Sequence, residues 1–361
     1  MSIQRPSPSG PIRSTAGLAA RLGLSRWTVS RVLNGHPGIH PETRDRVERE
    51  MKKLHFSPSA MARGLRGGRT GTIGIGIQDL ENFNLVSKVS LLNERLRAHS
   101  LHGLLEFSDG QADLEEAILH RFIAAKVEGV VFFGGVLPRG HAAFKALAQT
   151  GIPFVPIDPY DSALPGAVLT DRAAAIRQAA GHLLTLGHRR FATLGIDPGT
   201  PYGTVRIGAL QECLATQKAT ATCLSFFEEE APRMDFDYGR RLAERLLAET
   251  GASRERPTAL IALNDRIAFG AMEGLKRRGC RIPSDFSIVG YDNSDLGAFA
   301  SPGLTTIDAR ADLLVEQAQR RLLDRIEGAR QKGTSTRLPS PKRLLVEPAL
   351  LVRESTAAPS S

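Results

Sequence analysis

Near the N-terminus, apolar residues recur at three- and four-residue intervals in three short stretches. In "STAGLAARLG", Leu18, Ala19 and Leu22 share one face, Ser14 stands at an N-cap position, and Gly23 stands where a helix ends. In "SRWTVSRVLNG", residues 25–35, Val29, Val32 and Leu33 make the apolar side of a helix capped by Ser25. Arg26, Trp27, Ser30 and Arg31 then share the other side. The third stretch opens at Pro41 and spaces Val47, Met51 and Leu54 helically, which predicts a helix that closes a three-helix head. Two short helices joined through Gly23 predict a helix-turn-helix.

The pattern breaks at Pro58. The following "SAMARGLRGGRTG" predicts one short helix made marginal by Gly64, Gly67 and Gly68, so the segment reads as a hinge or as a plain linker. From Thr72 the period changes. The β-rich runs "TIGIGI", "GVVFFGG", "PFVPID", "RFATLGI", "TALIALND" and "FSIVGYDN" alternate with helical stretches such as "EEAILHRFIAAK", "AAAIRQAAGHLLTLG", "YGRRLAERLLAE" and "RIAFGAMEGLKRRG". Regular alternation predicts an α/β body with parallel sheets covered by helices on both faces. Several strands end in polar residues: Asp79, Asp158, Asn264 with Asp265, and Asp292 with Asn293. Any one of these reads equally as a loop or capping residue. Their recurrence at the carboxyl ends of strands, where open α/β sheets bind ligands, points to a small polar molecule.

Charge sharpens the reading of the head. The chain has 47 Lys+Arg and 38 Asp+Glu, a net charge of +9. Residues 1–70 hold 13 basic and four acidic side chains, so the whole positive excess lies there. A helix face with two guanidiniums, the chain's only tryptophan and a hydroxyl suits the major groove of double-stranded DNA, and basic charge confined to that region supplies phosphate affinity. A helical hairpin with a solvated basic face is the alternative. At 361 residues the chain accommodates a small head and a two-lobed body.

Cys213, Cys223 and Cys280 form no CxxC, so no metal site, no disulfide framework and a reducing cytoplasm are expected. The opening "MSIQRPSPSGPIR" has no apolar h-region and no run is long enough to span a bilayer, so no membrane partner is expected either. An α/β enzyme is disfavoured: "GIGIQD" offers only G-x-G, there is no GxxxxGK[ST], and no nucleophile stands with a plausible base, so neither catalytic residue nor cofactor is expected. A transport-type sugar-binding protein would explain the body but would need a secretion signal and has no use for the head.

From Ser14 to Thr356 the chain resembles the lactose/galactose repressor family of bacterial transcriptional regulators, through "LAARLGLSRWTVSRVLNG", "ETRDRVEREMKKLHFSPSAMARGLRGGRTGTIGI", "HLLTLGHRRFATLG", "NDRIAFGAMEGLKRRGCRIPSDFSIVGYDN", "PGLTTID" and "LVEPALLVREST". The resemblance implies a helix-turn-helix headpiece, a hinge helix, and a core like the periplasmic sugar-binding proteins, whose two lobes are crossed by three chain segments. It implies a homodimeric repressor on a near-palindromic operator, cytoplasmic and nucleoid-associated, controlled by a small-molecule effector in the cleft.

The domains expected are a tail at 1–13, a headpiece at 14–56, a hinge helix at 57–70, a core at 71–356 and a tail at 357–361. Within the core, the N-lobe is expected at about 71–187 and 296–330, the C-lobe at about 188–295 and 335–352.

For DNA the resemblance implies Arg26 and Trp27 at positions that vary with operator, Arg31 at a base, and Ser25 and Thr28 at phosphates. Ser30 and Asn34 join this face, and Leu65 with Ala62 falls where a hinge helix wedges the minor groove. For the effector it implies Arg206, Asp265 and Asp292, with Asp79, Phe83, Met234, Phe236 and Asn264 around them. Two departures stand out: Ala209 and Leu210 replace a glycine and an aromatic after Arg206, and Asn82, Phe83, Asn84 and Leu85 replace N-P-F-F. A sugar or sugar derivative is the effector expected; a purine, another metabolite, or none stay open.

Overall fold

The computed structural model describes residues 14–33, 37–54, 56, 69–80, 83–217, 219–224, 233–251, 253, 255–331 and 342–360. The expected tail at 1–13, Asn34, and most of the expected hinge, including Ala62 and Leu65, lie outside the described residues.

The head holds α1 (Thr15–Leu22), α2 (Arg26–Leu33) and α3 (Pro41–Lys53). Each boundary has a chemical cause. Ser14 Oγ accepts the Gly17 N–H at 3.1 Å, and Ser25 Oγ accepts the Thr28 N–H at 2.9 Å, so both hydroxyls satisfy amides that have no partner inside the helix. Gly23 ends α1 at φ 65°, a left-handed conformation that a side chain would strain. Leu18, Ala19, Leu22, Val29, Val32 and Val47 form the small core. Arg46 donates to the Leu22 carbonyl at 2.8 Å, and Arg21 pairs with Glu50 at 2.7 Å, tying α3 to the end of α1.

The body begins with β1 (Thr72–Ile77), α4 (Phe83–Arg97), β2 (His102–Phe107), α5 (Ala112–Ala124), β3 (Gly129–Phe133), α6 (Ala142–Thr150), β4 (Phe154–Ile157) and β5 (Val168–Thr170). It continues with α7 (Arg172–Thr185), β6 (Arg190–Leu194), α8 (Pro201–Ala215), β7 (Thr220–Leu224), α9 (Phe236–Thr250), β8 (Ala259–Ala262), α10 (Asp265–Arg277) and β9 (Ser287–Tyr291). It closes with α11 (Leu296–Phe299), β10 (Thr305–Asp308), α12 (Ala311–Gln331), β11 (Leu344–Val346) and β12 (Ala349–Leu351).

Two six-stranded sheets result, in the orders β11-β5-β4-β3-β1-β2 and β12-β10-β9-β8-β6-β7. Their pairings are parallel except β10 with β12, which is antiparallel. Strands such as β1, β3 and β9 are buried along nearly their whole length because helices cover both faces.

The chain passes between sheets three times: after β5, after β10, and between β11 and β12. These crossings correct the expected lobe limits. The first occurs at Asp171, whose Oδ1 caps α7 by accepting the Ala174 N–H at 2.8 Å. Helix α7 then buries Ala175, Ile176, Ala179, Ala180 and Leu183 with Phe191, Ile207 and Leu210 of the second lobe, so residues 172–187 belong there and not to the first. Residues 296–308 also belong to the second lobe, since β10 pairs with β9, whereas β11 pairs with β5 of the first.

The expected C-terminal tail is corrected as well. Ala357 N–H donates to Ser287 Oγ at 3.0 Å, the Ala357 carbonyl stands 2.9 Å from His188 Nε2, and Ser360 Oγ donates to the Ser284 carbonyl at 2.7 Å. Residues 357–360 are therefore docked on the second lobe.

Candidate functional site

Helix α2 turns Val29 and Val32 inward and leaves Trp27 64% exposed. Arg26 is exposed beside it, and Ser30 and Arg31 are half-buried. Trp27 and Arg31 stand one turn apart, which brings the Arg31 guanidinium to 4.6 Å from the indole centroid. Arg31 Nη2 also donates to the Pro37 carbonyl at 3.1 Å. Ser25 and Thr28 hydroxyls lie 2.9 Å apart at the N-terminus of α2. A helix N-terminus flanked by hydroxyls suits a phosphate, and the indole–guanidinium pair presents an oriented fork of donors beside an apolar plate.

The second constellation lies between the lobes, at the carboxyl ends of both sets of strands, around a cavity of about 290 Å³. The first lobe supplies Gln78, Asp158 and, from α4, Asn84 and Lys88; the second supplies Tyr202, Arg206, Asn264 and Asp292; Thr170 and Arg172 flank the first crossing.

Asp158 is saturated. Its Oδ1 accepts from the Thr170 N–H and from Arg172 Nη1, both at 2.9 Å, its Oδ2 accepts from Thr170 Oγ1 at 3.1 Å, and Lys88 Nζ lies 3.8 Å away. Burial by itself would raise this carboxyl, but Arg172, Lys88 and the Thr170 bonds outweigh it and hold the carboxyl below its ordinary value. Tyr202, from the other lobe, donates its hydroxyl to the Asp158 carbonyl and lies under the Arg172 guanidinium at 4.0 Å. Its phenol is raised, first by burial.

Asp292 faces Asp158 from the second lobe and accepts from Asn84 Nδ2 at 2.5 Å, another bond across the cleft. Its burial in the cleft, and then the charge of Asp265, push its carboxyl up to about 7 against the pull of Lys88, Asn84 and Arg206. Its backbone is held at φ 114°, a conformation rare outside glycine and the kind of strain that collects at ligand sites. Arg206 is 6% exposed, lies 5.1 Å from the Tyr291 ring, and has no hydrogen-bond or ion-pair partner among the described residues. Burial, with Arg172 nearby, lowers its guanidinium.

A basic helix-turn-helix head and a two-lobed body with a polar cleft now stand in one chain, and comparison with known proteins decides what they make together. Residues 17–59 match the model "Bacterial regulatory proteins, lacI family", and residues 180–356 match the model of a periplasmic binding protein-like domain. An uncharacterized HTH-type transcriptional regulator in the aml 5' region of Streptomyces limosus is 30% identical over 99% of this chain and 98% of its own. The chain belongs to the lacI family of bacterial regulatory proteins.

As a lacI-family regulator it is a DNA-binding transcription factor and not an enzyme. Its fold is that of the lac repressor, solved as a dimer bound to operator and the anti-inducer ONPF, with a TM-score of 0.81, 23% identity, and cover of 97% of this chain and 100% of that one. The complex of the transcriptional regulator CelR with cellobiose matches with a TM-score of 0.64 and 26% identity, over 95% of this chain and 100% of that one. Among the described residues, no helix is long and apolar enough to cross a membrane.

The structure of this lacI-family regulator sorts the residues expected at the effector site. Arg206, Met234, Asn264 and Asp292 line the cleft. Three others do not. Asp265 is 1% exposed and accepts from Thr306 Oγ1 at 2.6 Å and the Ser294 N–H at 2.7 Å, so it braces the strained loop that carries Asp292 and offers the cleft nothing. Phe236 is 42% exposed and stacks on Phe269 at 6.4 Å, outside the cleft. Asp79 is one residue past Gln78, which takes the lining place at the end of β1 and donates to the Gly134 carbonyl at 2.9 Å. Phe83 opens α4, and its side chain lies outside the described residues; α4 lines the cleft through Asn84, Leu85 and Lys88.

Sequence reasoning passed over Lys88, Arg172 and Tyr202 as site residues. The signal for two of them was helical spacing: Tyr202 stands four residues before Arg206, and Lys88 four after Asn84.

Proposed function

We propose that this regulator is a repressor that binds a near-palindromic operator as a homodimer and changes its grip on DNA when a small polyhydroxylated effector, a sugar or sugar derivative, occupies the cleft. The observation that carries the reading is the convergence of both lobes on one polar cavity, already bridged by Asn84 to Asp292 and by Tyr202 to Asp158. A ligand there touches both lobes at once and so has different affinities for open and closed arrangements, which is what coupling to a distant site requires.

In this reading Arg26, Trp27 and Arg31 meet base edges, Ser25 and Thr28 hold phosphates, and Ser30 and Asn34 join the DNA-binding set. Leu65 and Ala62, which lie outside the described residues, are the positions proposed for the minor groove. The lac repressor dimer on operator and the CelR complex with cellobiose support the partners proposed. The protein acts in the cytoplasm, on the DNA of the nucleoid.

The test selects binding sites from random DNA with the full-length protein, then repeats the binding with each sugar that raises its melting temperature. Selected sites are expected to share a two-fold pattern of half-sites. Sites without that symmetry overturn the dimeric reading. Operator affinity that no stabilising ligand changes overturns the coupling.

A further inference from the structure

We propose that the effector is an anion, a small polyhydroxylated carboxylate or phosphate ester whose negative group docks on Arg206. The inference rests on the reading of the cleft as the effector site and narrows its chemistry.

Three cations line the cleft, Lys88, Arg172 and Arg206, against two carboxylates, Asp158 and Asp292. Asp158 is already committed: both oxygens are taken by Thr170 and Arg172, with Lys88 at 3.8 Å. That cluster holds two positive charges and one negative, so it cannot neutralise a further guanidinium. Arg206 is the further one. It is 6% exposed, and its Nε is buried without a partner. Arg172 repels it, and the negative charges that act on it, Asp292 and Asp158, do so without a hydrogen bond or ion pair to it among the described residues.

A buried cation in a folded protein is ordinarily paired. The remaining carboxylate, Asp292, is a weak candidate for that partner, because one of its oxygens already accepts from Asn84 and no ion pair joins it to Arg206 among the described residues. Its raised carboxyl, near 7, also leaves it only part of a negative charge at neutral pH.

The side chains lining the cleft therefore carry a surplus of positive charge, and the Arg206 fork has no hydrogen-bond partner among the described residues. Carboxylate and phosphate oxygens meet that fork with two parallel charge-assisted bonds and also cancel its charge, whereas a pair of sugar hydroxyls can accept from the fork but leaves the charge in place. The cavity of about 290 Å³ stands at the lower end of small-ligand sites and suits a single sugar-sized molecule rather than a chain of them.

The experiment titrates the full-length protein calorimetrically with matched probes: glucose and galactose, their uronates, gluconate, and the two sugar 6-phosphates, each at low and high salt. At least one acid or phosphate is expected to bind ten-fold or more tightly than its neutral parent and to weaken as salt rises. The uronate and phosphate arms separate the two sources of charge. Arg206→Gln is expected to remove the preference for that anion, and Arg206→Lys to restore part of it, with circular dichroism confirming that both variants fold.

A neutral sugar that binds as tightly as its acid overturns the proposal while leaving the effector cleft standing. An anion whose binding is the same in wild type and Arg206→Gln overturns it too and places the ligand elsewhere. If no probe of either kind binds, both the anionic proposal and the sugar-type effector reading fall together.

Discussion

The exposed indole of Trp27 lies 4.6 Å from the Arg31 guanidinium, which the Pro37 carbonyl also holds, so the two side chains are placed to bear on one another. Replacing Arg31 by Ala is expected to cost about 1–3 kcal/mol on the selected operator and far less on random DNA. Trp27→Ala should relax the preference at the same base by loosening the fork, and Trp27→Phe should keep most of it. Competition binding against single-base operator variants reads both, and a Trp27→Ala protein that still discriminates fully at the Arg31 base would separate the two side chains. Asp292 gives the other test at this scale. Its carboxyl rises on folding from 3.8 to about 7, so its contribution to stability is whole below the unfolded value and is lost as pH climbs through the folded one. Asp292→Asn and wild type should therefore melt alike near about pH 4 and diverge toward about pH 8, with the Asn variant higher; parallel melting curves would put the charge of Asp292 elsewhere. The strand-end positions Asp158, Asn264 and Asp292 were legible because a strand's carboxyl end is a local property. The bracing role of Asp265 was not, since it depends on Thr306, forty-one residues away.

Among elements, legibility followed the strength of the period. The head helices announced themselves through caps at Ser14 and Ser25, the stop at Gly23 and one apolar stripe each, and the strongest strands are those buried on both faces, such as β3 and β9. Strand β2 is an edge strand that pairs only with β1 and is exposed along "HGLLEF", so no alternation marks it. Strands β5, β11 and β12 have three residues each, too few to carry a period. The pair Gly74 and Gly76 in β1, which offered only a weak G-x-G, has a packing cause: a Cβ at either would stand 2.7 Å from the ring of Phe122 or 2.2 Å from that of Phe132. The head has a core of its own, and Leu18 at its centre is fully buried. Leu18→Ala is expected to destabilise the head by about 2–5 kcal/mol and to leave the body's melting transition in place. Calorimetry on the full chain should show the head's transition lowered or lost and the other unmoved, together with loss of operator binding; a single transition shifted as a whole would show instead that head and body unfold as one unit.

At the scale of the whole molecule, the partition of charge was legible and the route of the chain was not. All the net +9 falls in the first 70 residues, which separates a phosphate-seeking head from a neutral body before any fold is known. The lobe limits depended on where three crossings fall, and Asp171, which caps α7 at the first of them, looks in sequence like any other capping residue. Across the cleft the lobes are joined by the Asn84–Asp292 and Tyr202–Asp158 hydrogen bonds and by the Arg172–Asp158 ion pair. Tyr202→Phe removes one of these links while keeping the ring under Arg172, so it should shift the balance toward the open arrangement by about 0.5–1.5 kcal/mol, the net worth of a hydrogen bond. Effector affinity should fall by up to the same factor, about two- to thirteen-fold, since only the closed fraction binds fully. Linkage adds a sharper requirement: the factor by which effector changes operator affinity must equal the factor by which operator changes effector affinity, in wild type and in the variant alike. Calorimetric titration of effector with and without operator, set beside operator titrations with and without effector, measures both factors. Equal factors in both proteins, with weaker effector binding in Tyr202→Phe, make the cleft bond part of the coupled equilibrium. Unchanged effector affinity in the variant would mean that the Tyr202 hydroxyl only packs the cleft wall.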